Sequence, residues 1–375
     1  MLLSPTPDQQ LLRETTARFL DGAVPPGEVR RLRDDPVGYD PVYWRQGAEL
    51  GWTSLLVPEA AGGGSVSDDG LIDLTLVAHE FGTHAAPGPL AVVNVVAAAL
   101  GRAAPDHDLV GRLLAGEEVA SWAYLEPVPN DSPGDTALDV RIDGDDVVLS
   151  GVKRPVESAD QAGHLLVTGR TGDGLTQVLV PTDAPGVERT PMRTVDLTRR
   201  FSVVRFDDVR LPADAVLGEL GGAEEDVELQ LQQALVITAA ESVGAMQRAF
   251  DMTVEWAFDR YSFGRPLASY QALKHRFADM ACWLEAGHAI ADAAARAVAT
   301  GRGDAAKLVS VALAYIGQQG SELLQDCVQL HGGIGVTFEH DLHLLLRRHT
   351  LDRTLYGTPA DHRRRATRLI EGVAA

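Results

Sequence analysis

Cysteine is nearly absent. Cys282 and Cys327 are the two thiols in 375 residues, so the fold needs no disulfide framework and suits a reducing interior. Basic residues are scarce too: 33 Lys and Arg stand against 53 Asp and Glu, a net charge of -20. A surface this acidic argues against a nucleic-acid groove or an anionic membrane as partner, because both need clustered cations. A small anionic ligand held by a few local arginines remains compatible. No run of 18 apolar residues occurs, so no membrane-spanning helix is expected. The opening MLLSPTPDQQ has neither a basic flank nor a continuous apolar core, so it does not read as a signal peptide. The expected location is the cytoplasm, and no metal is expected.

What is present is ample core material: 45% hydrophobic residues, enough for two or three domains at this length. Residues 1–119 read as a helical domain, with helices expected from Thr6-Pro7 onward, over Tyr43 to Leu50, Asp68 to Phe81, Ala91 to Leu100 and Asp108 to Leu114. Between the second and third, Val57-Pro58 dissolves into Gly62-Gly63-Gly64, a loop with unusual backbone needs. Residues 120–220 change period. Short apolar runs at 120–125, 137–142, 147–152, 165–167, 177–180 and 202–206 are separated by Gly, Asp and Pro turns, which predicts an antiparallel β-barrel or sandwich. Residues 221–375 return to helical spacing: Glu224 to Asp259, Leu273 to Thr300, Ala305 to His331, Asp341 to Leu355 and Pro359 to Gly372. Short links between long amphipathic helices predict an up-down bundle. The fold class is therefore mostly α with a central β domain.

One stretch interrupts the bundle in a specific way. In Asp259 to Met280, Arg260 ends a helix, Tyr261-Ser262-Phe263-Gly264 turns, Arg265-Pro266 closes the turn, and Tyr270-Gln271 opens a new helix. Arg binds two phosphate oxygens through its planar fork, so this corner could hold an anionic cofactor. It could equally be a solvated helix corner.

With the neighbouring motifs, the chain resembles the acyl-CoA dehydrogenase family over nearly its whole length. Leu50-Gly51-Trp52 through Pro58-Glu59 and the glycines is similar to that family's LGxxxxxxPExxGG segment. Arg260 to Pro266 with Gln271 is similar to RxxFGxP…Q, and Gln329-Leu330-His331-Gly332-Gly333-Ile334-Gly335-Val336-Thr337 to QxxGGxGxT. Arg347-Arg348 and Gly357-Thr358 fall where the family has its last motifs. The resemblance implies FAD, an acyl-CoA substrate, α,β-dehydrogenation of the thioester, an electron-transfer flavoprotein or similar acceptor, and a homo- or hetero-oligomer, a dimer of dimers. Arg260 would hold the pyrophosphate, Phe263 would lie against the cofactor and Gln271 would bond it. Gln329, Gly332 and Gly333 would reach it from a neighbouring subunit, and Thr358 belongs to the same set. His331 reads as a packing residue at a helix end.

The resemblance breaks at the chemistry. The family's usual base is a Glu in Tyr-Glu-Gly-Thr; here the segment is Leu355-Tyr356-Gly357-Thr358, so Tyr356 replaces it. A second family position aligns near Ala234, with Leu235 where an arginine is usual. Glu241 is the nearest carboxylate on that helix face, seven residues and roughly 10 Å further along the axis. It is the remaining candidate base, or else a residue paired within the bundle. In the β domain, Leu125-Glu126-Pro127 has lost a flavin-bonding hydroxyl, and Val128-Pro129-Asn130-Asp131 lacks the Gly-Ser that follows in the family. In Gly151 to Ser158, Pro155 and Glu157 replace the aromatic and the Thr of GxKxWIT. Such erosion resembles the heteromeric, steroid-type branch, in which one of two different subunits supplies the base. The alternatives are a non-catalytic partner subunit, or a flavin monooxygenase on the same fold.

Overall fold

The computed structural model describes residues 5–127, 135–172 and 174–372. The segment Val128-Pro129-Asn130-Asp131 lies outside the described residues.

The N-terminal helices follow local signals. Thr6 caps α1 (Pro7–Ala23) through a capping box with Gln9, with proline in the first turn. A short α2 (Pro26–Arg31) precedes α3 (Pro41–Glu49), α4 (Gly70–His84), α5 (Leu90–Ala103) and α6 (Asp108–Leu114). The start of α4 is set by Asp69, whose carboxylate accepts from the Ile72 amide. Between α3 and α4, Trp52 fills the domain core: its ring meets Phe81 edge-on at 4.9 Å, and its Nε1 donates to Thr16.

The central domain is one sheet. Its strands are β1 (Ala120–Ala123), β2 (Asp139–Asp143), β3 (Asp146–Glu157), β4 (His164–Thr171), β5 (Gly174–Pro181), β6 (Val187–Met192), β7 (Phe201–Pro212) and β8 (Val216–Leu217). The hydrogen-bonded order is β6-β7-β3-β2-β4-β5-β8, with β1 beside β4. Among the described residues this path does not return on itself, so the sheet is open and forms no closed barrel. Most neighbours are antiparallel, but β1–β4 and β2–β4 run parallel. The β2–β3 hairpin supplies part of the long crossover a parallel pairing needs. Strand β6, with sequence VERTPM and four exposed inner positions, carries no apolar alternation, which is why the sequence does not announce it.

The C-terminal bundle comprises α7 (Glu224–Asp259), α8 (Gln271–Ala299), α9 (Ala305–His331), α10 (Leu342–Leu355) and α11 (Pro359–Glu371). A two-stranded hairpin, β9 (Tyr261–Ser262) with β10 (Arg265–Pro266), links α7 to α8. Two glycines join the bundle to the N-terminal domain. A Cβ on Gly82 of α4 would lie 1.7 Å from the Glu241 carbonyl oxygen, and one on Gly244 of α7 would lie 2.0 Å from that of His79. The two helix backbones therefore touch, which only glycine permits, and the contact holds Glu241 at the domain junction. Among the described residues no helix is long and apolar enough to cross a membrane.

Candidate functional site

The hairpin after α7 is built by its sequence. Phe263 and Gly264 both have positive φ, +50° and +82°, the backbone of a two-residue turn whose twist matches its strands. The Tyr270 hydroxyl donates to the Ser262 carbonyl at 2.7 Å, and the Arg265 guanidinium sits 3.9 Å over the Tyr270 ring. Arg265 is thereby occupied. Arg260 is not: it is exposed, its guanidinium lies 5.8 Å from the Trp256 ring, and it makes no ion pair among the described residues. Phe263 projects at the tip, 98% exposed.

Trp256 also joins this hairpin to the end of α9. Its ring stacks on His331 at 5.3 Å and 19°. The His331 ring is held by the Cys327 carbonyl, and burial lowers its pKa, so it packs as a neutral ring. Around it, Gln329 is exposed, Gly332 has φ +63°, and neither Gly332 nor Gly333 has an atom within 4 Å of a built Cβ. One face of the chain thus offers an uncommitted guanidinium, exposed amide groups and open backbone. Gln271, the first residue of α8, is exposed as well. Thr358 sits elsewhere. It caps α11 through a box with Asp361, and its neighbour Pro359 packs at Gly317. Gln329 is twelve residues further along α9, roughly 18 Å by helical rise. Within one chain the structure does not bring Thr358 to the other six.

The environment of Glu241 is the opposite. Its Oε1 accepts from Arg348 Nη1, and its Oε2 lies 3.5 Å from Arg199 Nη1. Arg348 also holds Asp196 at 2.6 Å and donates to Thr198 and the Ala86 carbonyl. Arg199 also holds Glu157 at 2.6 Å and Asp352 at 2.8 Å. All six charged side chains are buried. Burial alone would push Asp196 up, but Arg348 and the Arg199 and Thr198 amides outweigh it and hold the carboxyl below the usual range. Asp352 goes the other way: burial, and then repulsion from Glu241, raise it well above the ordinary value. Two guanidiniums cannot neutralise four carboxylates, and burial with repulsion from Glu241 favours the protonated form of Asp352 over that of Asp196. Its Oδ2 has no hydrogen-bond partner.

Tyr356 follows Asp352 by one helical turn. Its ring lies 6.2 Å from Trp122, which stacks on Tyr124 at 4.6 Å. Burial raises the Tyr356 hydroxyl further above its ordinary value, so it stays neutral and cannot take a proton. Ala234 and Leu235 are buried apolar residues of α7. Nearby, Lys153 is fully buried, donating to Glu126 at 2.7 Å and to the Tyr124 carbonyl at 2.9 Å, with burial lowering it to about 8. His349 lies between Ser242 and Ser321, at 2.6 and 3.2 Å, and burial lowers it to about 4. That Ser–His pair is enclosed and packs the bundle.

Residues 6–117 match the family profile described as acyl-CoA dehydrogenase, N-terminal domain, and residues 226–370 the C-terminal domain. Acyl-CoA dehydrogenase IpdE2 of Mycolicibacterium smegmatis is 31% identical over 361 residues, 96% of this chain and 97% of that protein. The chain belongs to the acyl-CoA dehydrogenase family. It is therefore an oxidoreductase of the flavoprotein type. Among solved structures, a variant of the Tcur3481-Tcur3483 steroid ACAD superposes with TM-score 0.87 at 28% identity, covering 98% of this chain and 99% of that one. The ChsE4-ChsE5 complex from Mycobacterium tuberculosis superposes at 0.88 with 23% identity and full coverage of both chains, which speaks to fold alone.

Within this acyl-CoA dehydrogenase fold, Arg348, which falls in one of the family's last motifs, joins Arg199, Asp196 and Asp352, which motif reading did not single out, in a charged core. A signal existed. Of the four runs of adjacent arginines, at 30–31, 199–200, 347–348 and 363–365, two supply this core, and Asp352 follows Arg348 by four. Nothing in one sequence says that Arg199 and Arg348 both reach Glu241.

Proposed function

We propose that the chain is an FAD-dependent acyl-CoA dehydrogenase subunit that works in a hetero-oligomer, with a related second subunit supplying the base, on a bulky acyl-CoA. The observation that carries this is the commitment of Glu241. Both of its oxygens face arginines in a buried network, while Tyr356 and Ala234 occupy the two family positions for the base. A base must reach the α-proton unhindered. Glu241 is buried with an arginine facing each of its oxygens, so we do not assign it that role. The Tcur3481-Tcur3483 steroid ACAD, named for two different proteins, supports the two-subunit reading.

The donor set fits the cofactor's diphosphate. Arg260 would hold the pyrophosphate, with Gln271 and Phe263 beside it. Gln329 and the backbone at Gly332 and Gly333 would approach the cofactor held mainly by a neighbouring subunit. The Thr358 hydroxyl is tied into its cap and contributes less. Bound FAD would supply the hydride acceptor. An electron-transfer flavoprotein or similar protein would then be the acceptor of electrons. This chain's own residues bind and orient: Arg260 fixes the phosphates, and Tyr356 with Trp122 walls the reacting end and keeps water out.

The test is co-expression with a homologue that carries the Tyr-Glu-Gly-Thr glutamate. The expected result is a hetero-oligomeric native mass and a flavin absorbance that bleaches with acyl-CoA, against a far slower response of the chain alone. Loss of a positioned base typically costs 10²–10⁴ in rate. Equal bleaching by the chain alone would overturn the proposal.

A further inference from the structure

A cavity of about 620 Å³ opens between the β6–β7 loop, the segment after α2 and the start of α10. It lies on the outer side of the buried network and is lined by neither Tyr356, Trp122, Arg260 nor Gln329. Its size is ordinary for a small-ligand site, ~300–1,000 Å³. Its charge is not ordinary for this chain. Against a net charge of -20, five of its eleven lining residues are arginines.

The five divide into two groups. Arg199 is committed to Glu157 and Asp352, and Arg200 to the carbonyls of Leu32, Asp35 and Leu197. These two build the wall. Arg33, Arg193 and Arg347 keep their guanidiniums for the cavity. Arg193 is exposed and has no ion pair or hydrogen bond among the described residues. Arg347 spends one of its five donors on the Val195 carbonyl at 3.0 Å. Arg33 approaches only its neighbour Asp34, at 3.9 Å, and is steadied 5.3 Å over the Phe338 ring. Of the lining carboxylates, Asp196 is saturated by Arg348 and two amides, and Asp34 is 95% exposed, so solvent screens it. Three guanidiniums around one cavity, faced by a single solvent-exposed carboxylate, Asp34 beside Arg33, form a receptor for several closely spaced negative oxygens.

We infer that this cavity binds a phosphorylated small molecule, with a di- or polyphosphate held among Arg33, Arg193 and Arg347. Phosphate suits it better than a single carboxylate, because one carboxylate engages one arginine fork and leaves two cations facing each other. The shared chemistry is a diphosphate, whether bare or carried on a nucleotide.

The test is calorimetric titration of the full chain with inorganic pyrophosphate and, separately, with ADP. Saturable binding that weakens with added salt is expected. Equal affinities assign a bare diphosphate, and tighter ADP assigns a nucleotide. The double variant Arg193→Glu/Arg347→Glu should weaken both probes at least about ten-fold, since every guanidinium–phosphate bond it removes is charge-assisted. Arg193→Glu alone changes an exposed side chain and preserves the test if the double variant melts early. Arg260→Ala should leave the affinity unchanged, which separates this cavity from the proposed cofactor surface. The inference is overturned if neither probe saturates, if the charge reversals have no effect, or if Arg260→Ala abolishes binding.

Discussion

Arg260 and Arg348 are the same side chain in opposite circumstances. Arg260 stands at an exposed hairpin with its donors unspent. Arg348 is fully buried and spends its donors on Asp196, Glu241, Thr198 and two carbonyls. A ligand can recruit the first because only water must leave. It cannot recruit the second without stranding two carboxylates. The same contrast separates Gln329, open to solvent, from Glu241, whose oxygens are taken. Residue type alone assigns neither role; whether the hydrogen-bonding capacity is already satisfied does.

The contrast is broken most severely at Arg348. Arg348→Ala leaves Asp196 and Glu241 buried without their cation, and removing one partner of a buried pair typically costs ~3–5 kcal/mol. Urea unfolding should show that loss, and a change under ~1 kcal/mol would mean the network is better hydrated than its burial indicates. Next is Arg260→Ala. Its loss should lower FAD occupancy about ten-fold or more at fixed FAD concentration, read from the flavin-to-protein absorbance ratio of the hetero-oligomer. Because Arg260 is exposed, the melting temperature of the cofactor-free protein should not move. Unchanged occupancy would remove Arg260 from the cofactor site.

The network's two odd carboxylates give a pH test. Asp196 is depressed in the folded state, so its contribution is present above the unfolded value near ~4 and fades as pH falls toward the lower folded value. Asp352 is raised, so the folded protein keeps a proton that the unfolded chain releases above pH ~4, and this group erodes stability as pH rises toward its folded value. Asp352→Asn replaces the carboxyl whose neutral form burial favours. It should cost under ~1 kcal/mol at pH 5 and remove the erosion at higher pH, making the variant relatively more stable at pH 7 than at pH 5. A variant that instead loses stability as pH rises would place the charge on Asp352. The smallest effect belongs to Thr358→Ala, which removes the α11 cap and should cost ~1 kcal/mol with little change in flavin content. A large flavin loss would give Thr358 the cofactor role that its cap leaves little room for.

Much of the architecture was legible from local signals. Thr6, Gly264 and Gln271 mark the element boundaries because caps and turns depend on neighbours in sequence. The open sheet was less legible. Strand β6 is polar and exposed, and the parallel β1–β4 pairing joins residues 44 positions apart at Ala120 and His164. The hairpin and the α9 end were legible as motifs, but their meeting at Trp256 was not.

By itself the sequence determined the order of helical, β and helical domains, the family, the motifs that face a cofactor, and the absence of Glu at positions 356 and 234. Periodicity, caps and motif spacing are local, so one chain read end to end contains them. Only the tertiary structure decided what became of Glu241. Its partners Arg199 and Arg348 lie 42 and 107 residues away in either direction, and burial, which makes such an ion pair hard to break, is a property of the assembled core.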